Sequence, residues 1–204
     1  RVALGGDAGS GKSLIADLIF GLRQPQSGFL ELNGIDLREI RRSTLREFVA
    51  VVEEPEIIGA SIADNVRLGR PRVTAARLRE ALEFASIQAD VAELPDGIQT
   101  WLTTGGWPLS EGQTRRLALA RAVAGEPRLL IIDGTLDAFG HPQILELARR
   151  ILDRNRQWSV LLITNRADLQ ALCDRRLSLE AGVLREEVGA IGVTTRRTQP
   201  EIPG

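Results

Sequence analysis

Two kinds of apolar patterning alternate along the chain. Short unbroken runs occur as RVAL at 1–4, LLIID at 129–133 and SVLLIT at 159–164. Runs of that length without polar interruption are the pattern of strands buried on both faces of a parallel sheet. Between them lie longer stretches whose apolar residues recur at helical spacing: SLIADLIFGL at 13–22, RVTAARLREALEFA at 72–85 and TRRLALARAVAG at 114–125. In the last of these Leu117, Leu119, Ala120 and Val123 fit one helix ending at Gly125. The alternation predicts an α/β fold, a mainly parallel sheet with helices on both faces.

Composition narrows the function classes. With 204 residues, 43% apolar and 26% charged, the chain suits one soluble domain or a domain with an insert. A formal net charge of -1 leaves no electrostatic footprint for nucleic acid, and the single Cys173 excludes a disulfide framework. A reducing, cytoplasmic setting is the default expectation. No apolar run reaches the roughly 18 residues that a spanning helix needs. The chain has no Met and opens inside a strand-like stretch, so it is expected to be a fragment.

One basic residue stands apart. Of 26 Lys and Arg only Lys12 is lysine, and it lies in Gly6-Asp7-Ala8-Gly9-Ser10-Gly11-Lys12-Ser13. That octet matches GxxxxGK[ST] between a strand-like and a helix-like segment. Its glycines let successive backbone N–H groups turn toward phosphate oxygens, the lysine reaches the terminal phosphates, and the Ser13 hydroxyl is offered to magnesium. The following helix N-terminus adds partial positive charge. A nucleotide triphosphate with Mg2+ is the expected ligand.

A second motif is Ser110-Glu111-Gly112-Gln113, preceded by Leu109. The S-x-x-Q spacing predicts a capping box with Ser110 as N-cap. A phosphate loop, then LSEGQ, then EPRLLIID resembles the ATP-binding cassette family, whose signature is LSGGQ. The resemblance extends over nearly the whole chain. SGFLELNGIDLREI at 27–40 looks like the strand–turn–strand after the family's first helix, GASIADNVRLG at 59–69 is similar to the segment opening its helical subdomain, and LPDGIQTWLTTGGWPLSEGQ at 94–113 looks like the exporter-type run before the signature.

The resemblance implies a P-loop, RecA-like core with an inserted helical subdomain. Residues 1–60 and 125–187 are expected to form the nucleotide-binding core, 61–124 the subdomain carrying the signature, and 188–204 a flexible tail. It also implies that the family's first strands, with the aromatic residue that stacks on adenine, would precede Arg1. Two such domains in the family sandwich ATP head to tail, so Ser110, Glu111, Gly112 and Gln113 are expected to meet a partner's nucleotide. Glu111 departs from the usual glycine, and a carboxylate there is expected to repel a triphosphate unless it points away.

The family's catalytic positions are altered in this chain. Asp133 matches the carboxylate that holds magnesium, but Gly134 stands where the general base is expected, a role worth about 10²–10⁴ in rate. Asn165 stands where a histidine would contact the γ-phosphate; it can donate a hydrogen bond but cannot take a proton near neutral pH. Glu54 occupies the position of a magnesium-reaching glutamine, and a carboxylate can serve as ligand there. Gly140 stands where an aspartate would cross the dimer interface, Thr104 replaces an acidic residue of the pre-signature loop that touches coupling helices, and His141, the only histidine, reads as an exposed helix start.

The resemblance thus implies an exporter ATP-binding domain at the cytoplasmic face of the cell's inner membrane, paired with a second such domain in a homo- or heterodimer and with a transmembrane domain. It is expected to bind MgATP and to hydrolyse it weakly or not at all. A weak homodimeric transport ATPase and a regulatory module without transport stand as alternatives.

Overall fold

A computed structural model describes residues 1–138 and 141–187, the side chains of 141–143 excepted. The expectations for Gly140, the His141 side chain and the tail 188–204 therefore lie outside the described residues. In chain order the elements are β1 (Val2–Gly5), α1 (Lys12–Ile19), β2 (Glu31–Leu32), β3 (Ile35–Asp36), α2 (Arg42–Phe48), β4 (Val49–Val52), β5 (Ala60–Ser61) and α3 (Ile62–Arg67). They continue with α4 (Ala75–Phe84), α5 (Gln88–Ala92), β6 (Trp101–Leu102), α6 (Glu111–Ala124), β7 (Leu129–Asp133), α7 (His141–Leu152), β8 (Ser159–Ile163), α8 (Ala167–Gln170), β9 (Arg175–Glu180) and β10 (Val183–Glu187).

Six strands form one sheet in the order β10-β9-β1-β8-β7-β4, parallel except for β10, which runs antiparallel to β9 at the edge. The inner strands are the apolar runs, because they are covered on both faces. On one face Leu4, Val49, Ile131, Ile163 and Leu179 pack against Ala16 of α1 and Leu45 of α2. On the other, Val52, Leu130, Ile132, Val160 and Leu162 join the buried residues of α3, α4, α6 and α7. Neighbouring residues of one strand thus belong to opposite cores, as the period of two requires. The mixed α/β architecture with a mostly parallel sheet agrees with the sequence pattern.

The segment between β4 and β7 is a helical insert closed by a two-stranded antiparallel sheet, β5 against β6, with Ala60 opposite Leu102 and Ser61 opposite Trp101. Fully buried Asn65 holds its entry: its amide donates to the carbonyls of Ile58, Ala60 and Ser61, and its Oδ1 accepts from the Ile58 N–H at 3.0 Å. Arg121 of α6 reaches the same place, donating to the carbonyls of Asn65 and Glu56 and to Asn65 Oδ1. Burial lowers the Arg121 pKa, with the neighbouring Arg70 adding to the effect. Side chain and backbone oxygens compensate that desolvation. Among the described residues no helix is long and apolar enough to cross a membrane.

Candidate functional site

The carboxyl ends of β1, β8 and β7 lie side by side: Leu4 pairs with Ile163, and Ile163 with Asp133. Ligands of open α/β sheets collect at this end. Each strand delivers one of the predicted site residues here: the phosphate loop after β1, Asp133 at the tip of β7, and Asn165 two residues past β8. Three positions distant in sequence are thus brought together by the sheet alone.

The loop from Gly6 to Ser13 leads straight into α1. At Gly6 the backbone lies at φ 139, and a β-carbon there would meet the Leu179 carbonyl oxygen at 2.4 Å, so both conformation and close approach require glycine. Gly11, at φ 99, precedes Lys12 as the helix N-cap without a side-chain cap of its own. The first N–H groups of α1 are therefore left for an external acceptor. The Lys12 ammonium folds across the loop, donating to the carbonyls of Gly6 at 2.7 Å and Asp7 at 2.6 Å and more weakly to Ser10 Oγ at 3.4 Å. A compact charge is thereby fixed over the loop, and Ser13 lies exposed in the first helical turn.

Asn165 is joined directly to this loop. Its Oδ1 accepts the Gly6 N–H at 3.1 Å. The turn that carries it is anchored by the Thr164 N–H to Leu4 O, by Gln170 Nε2 to Thr164 O at 2.8 Å, and by the Arg166 N–H to Thr164 Oγ1 at 3.1 Å. A neutral side chain thus lies beside the loop, at the position where the family is expected to carry a histidine.

Asp133 ends β7 half-buried, and Gly134 follows at φ 64 with its N–H donated to Ile163 O. A β-carbon on Gly134 would meet no heavy atom within 4 Å. The lost carboxylate therefore leaves open space, and the backbone takes a left-handed conformation that a side chain resists.

Sequence reasoning overlooked two acidic residues. Glu53, which follows β4 directly, shares an electrostatic neighbourhood with Asp133. Burial pushes the Glu53 carboxyl above its ordinary value, and Asp17, Asp133 and Glu56 add to the shift. The other is Asp137, whose Oδ1 accepts from Thr164 Oγ1 at 2.5 Å. The first depends on a strand boundary one residue wide, and the second on a contact 27 residues long, so neither spacing nor composition could have shown them.

The second motif forms the predicted capping box. Ser110 Oγ accepts the Gln113 N–H at 3.3 Å, and Gln113 Oε1 accepts the Ser110 N–H at 2.8 Å. The remaining Gln113 amide donates to Asp90 of α5 at 2.8 Å. A β-carbon at Gly112 would meet nothing within 4 Å, so no packing inside the chain requires glycine there. Glu111 is 74% exposed but ion-paired with Arg115 one turn on at 2.5 Å, which offsets its negative charge at the helix start. Among the described residues these groups have no contact with the phosphate loop.

The oxygen donors Ser13, Asp133 and Glu53 are the hard ligands magnesium takes. No three acidic, His or Cys residues among those described form a metal cage.

Comparison with known proteins adds a family to this geometry. A family model described as ABC transporter matches residues 1–137. ABC transporter B family member 21 of Arabidopsis thaliana is 34% identical over 200 residues, covering 93% of this chain and 15% of that protein. A multidrug efflux ATP-binding/permease protein of Mycobacterium bovis is 36% identical over 188 residues, covering 90% of this chain and 15% of that protein. A solved structure of a bacterial Atm1-family ABC exporter with ATP bound superposes with a TM-score of 0.84 at 28% identity, covering 91% of this chain and 33% of that one. The chain thus spans a third or less of the proteins it matches.

Proposed function

Since this chain belongs to the ABC transporter family, we propose that it is the ATP-binding domain of an exporter that holds MgATP and cleaves it slowly or not at all. In this reading residues 1–60 and 125–187 form the nucleotide-binding core and 61–124 the helical subdomain. Gly6, Asp7, Ala8, Gly9, Ser10 and Gly11 wrap the phosphates with backbone N–H groups, and Lys12 turns its ammonium from the loop carbonyls onto the terminal phosphates. Ser13 and Asp133 hold magnesium, with Glu53 or Glu54 completing the oxygen set. The ion, when bound, neutralises phosphate charge and stabilises the leaving group.

A second domain closes over this face, in a homo- or heterodimer. Its Ser110 hydroxyl and the N-terminus of its α6 meet the γ-phosphate, with Gly112 keeping the approach clear. Gln113 stabilises that surface through the cap and Asp90. Glu111 keeps its charge on Arg115. Closure is passed to a transmembrane domain, which puts the chain at the cytoplasmic face of a membrane.

The observation that carries the reading is the pair Asp133–Gly134. The magnesium carboxylate is kept, while the next residue has neither a carboxylate nor a backbone suited to one. Calorimetric titration with MgATP tests the binding half. Saturable binding is expected for this chain and its loss for Lys12→Ala; equal affinity in the two would sink the reading.

A further inference from the structure

Three residues past Gly134 the chain carries another carboxylate, on the turn that Gly134 opens. The Asp137 N–H donates to Gly134 O at 2.9 Å, closing the 3-10 turn Thr135–Ala138. That turn is pinned on both flanks. Thr135 Oγ1 donates to Val52 O at the end of β4 at 3.1 Å, and Thr164 Oγ1, just past β8, donates to Asp137 Oδ1 at 2.5 Å. Thr164 is only 2% exposed, so its hydroxyl has a fixed direction. The next residue, Asn165, is the one that accepts the Gly6 N–H of the phosphate loop. A short chain of contacts, Asp137 to Thr164, Asn165 and Gly6, therefore links this carboxylate to the loop.

We propose that Asp137 is the group that accepts the proton of the attacking water in the slow ATP hydrolysis this chain retains, a role that rests on the ATP-binding reading above. In that step the water oxygen bonds to the γ-phosphorus and the bond from phosphorus to the bridging oxygen breaks. ADP leaves with the electron pair, and the water proton passes to Asp137 Oδ2, then to solvent. Thr164 donates to the other oxygen, Oδ1, and leaves Oδ2 without that bond. Burial raises the Asp137 carboxyl above its ordinary value, opposed by Thr164 and Arg166 and aided by Asp133 and Asp168. A carboxylate so raised is a stronger base.

Two other carboxylates compete for the role. Glu53 shares the neighbourhood of Asp133 but has no hydrogen-bond anchor among the described residues, and Glu111 lies on α6 in an ion pair with Arg115. Asp137 alone combines an anchor with a position on the same turn as Gly134.

The test compares this chain with Asp137→Asn by three measurements: turnover at saturating MgATP, ATP affinity by titration, and the rise in melting temperature that MgATP gives. A well-placed base is worth about 10²–10⁴ in rate, and a shorter, displaced one belongs at the low end, so Asp137→Asn is expected to lose about tenfold to a hundredfold in turnover. ATP affinity and the thermal shift are expected to stay unchanged. Equal turnover in the two proteins overturns the proposal. So does an ATP affinity that falls with the rate, which would mean a structural role, or a turnover that survives Asp137→Asn and vanishes with Glu111→Gln. A chain without measurable hydrolysis overturns it while leaving the binding reading intact; a chain that binds no ATP overturns both. Should Asp137→Asn fail to fold, Thr164→Val, which frees the carboxylate without removing it, is expected to lower turnover at unchanged affinity, and an unchanged turnover there counts against the proposal.

Discussion

Gly134 departs from a catalytic glutamate in its backbone as well as its side chain. At φ 64 it lies in the left-handed region, where a residue with a β-carbon loses about 1–2 kcal/mol. Restoring the glutamate therefore has two effects of opposite sign. Gly134→Glu is expected to lower the melting temperature by roughly 2–8 °C, since each kcal/mol is worth about 2–4 °C in a domain of this size. Combined with Asn165→His it is expected to raise turnover by about 10² or more. Melting curves and steady-state ATPase on the same preparations check both. If the double variant matches the parent in turnover, the missing groups were not what limited it. At this scale the sequence shows what is absent: Gly134 and Asn165 are legible against the spacing of the motifs. It does not show Glu53 and Asp137, because their surroundings are set by contacts that only the folded sheet brings together.

Among the elements, the runs LLIID and SVLLIT are legible as strands because both of their faces are buried, and the S-x-x-Q spacing announces the start of α6 with its cap. The fastening of the insert's entry segment to α6 is not legible. It rests on Asn65 and Arg121, two polar residues 56 apart in sequence, which read as ordinary surface residues until the fold buries one and brings the other to it. Asn65 closes the segment before α3 onto itself, and Arg121 ties α6 to it. Asn65→Ala would leave the Ile58 N–H and several carbonyls without partners at about 1–3 kcal/mol for each group left buried. A loss of at least about 2 kcal/mol in unfolding free energy is expected from urea titration. A loss within error of zero would show that the small sheet of β5 and β6 holds the insert unaided.

At the scale of the molecule, the proposed reading assigns an outside ligand to two surfaces. One is the phosphate loop with its N–H groups, Lys12 and Asp133; the other is the start of α6, where Ser110 caps the helix and Gly112 leaves the approach clear. In the proposed reading each is completed by a second copy or a related domain. The family and the mixed α/β fold were legible in the order of the motifs, because those motifs mark strand ends and a helix start that the topology fixes. What the chain does with a bound nucleotide was not, because it depends on the placement of carboxylates around a single glycine.

That question has a direct test. The purified chain is incubated with labelled MgATP, separated from free nucleotide, and the retained nucleotide is identified by chromatography. The incubation spans a time in which an enzyme turning over at about 10 s⁻¹ would have cleaved its substrate many times. Retained label recovered chiefly as ATP is the result predicted here. Label recovered chiefly as ADP, from a chain whose Lys12→Ala variant retains none, would contradict the account.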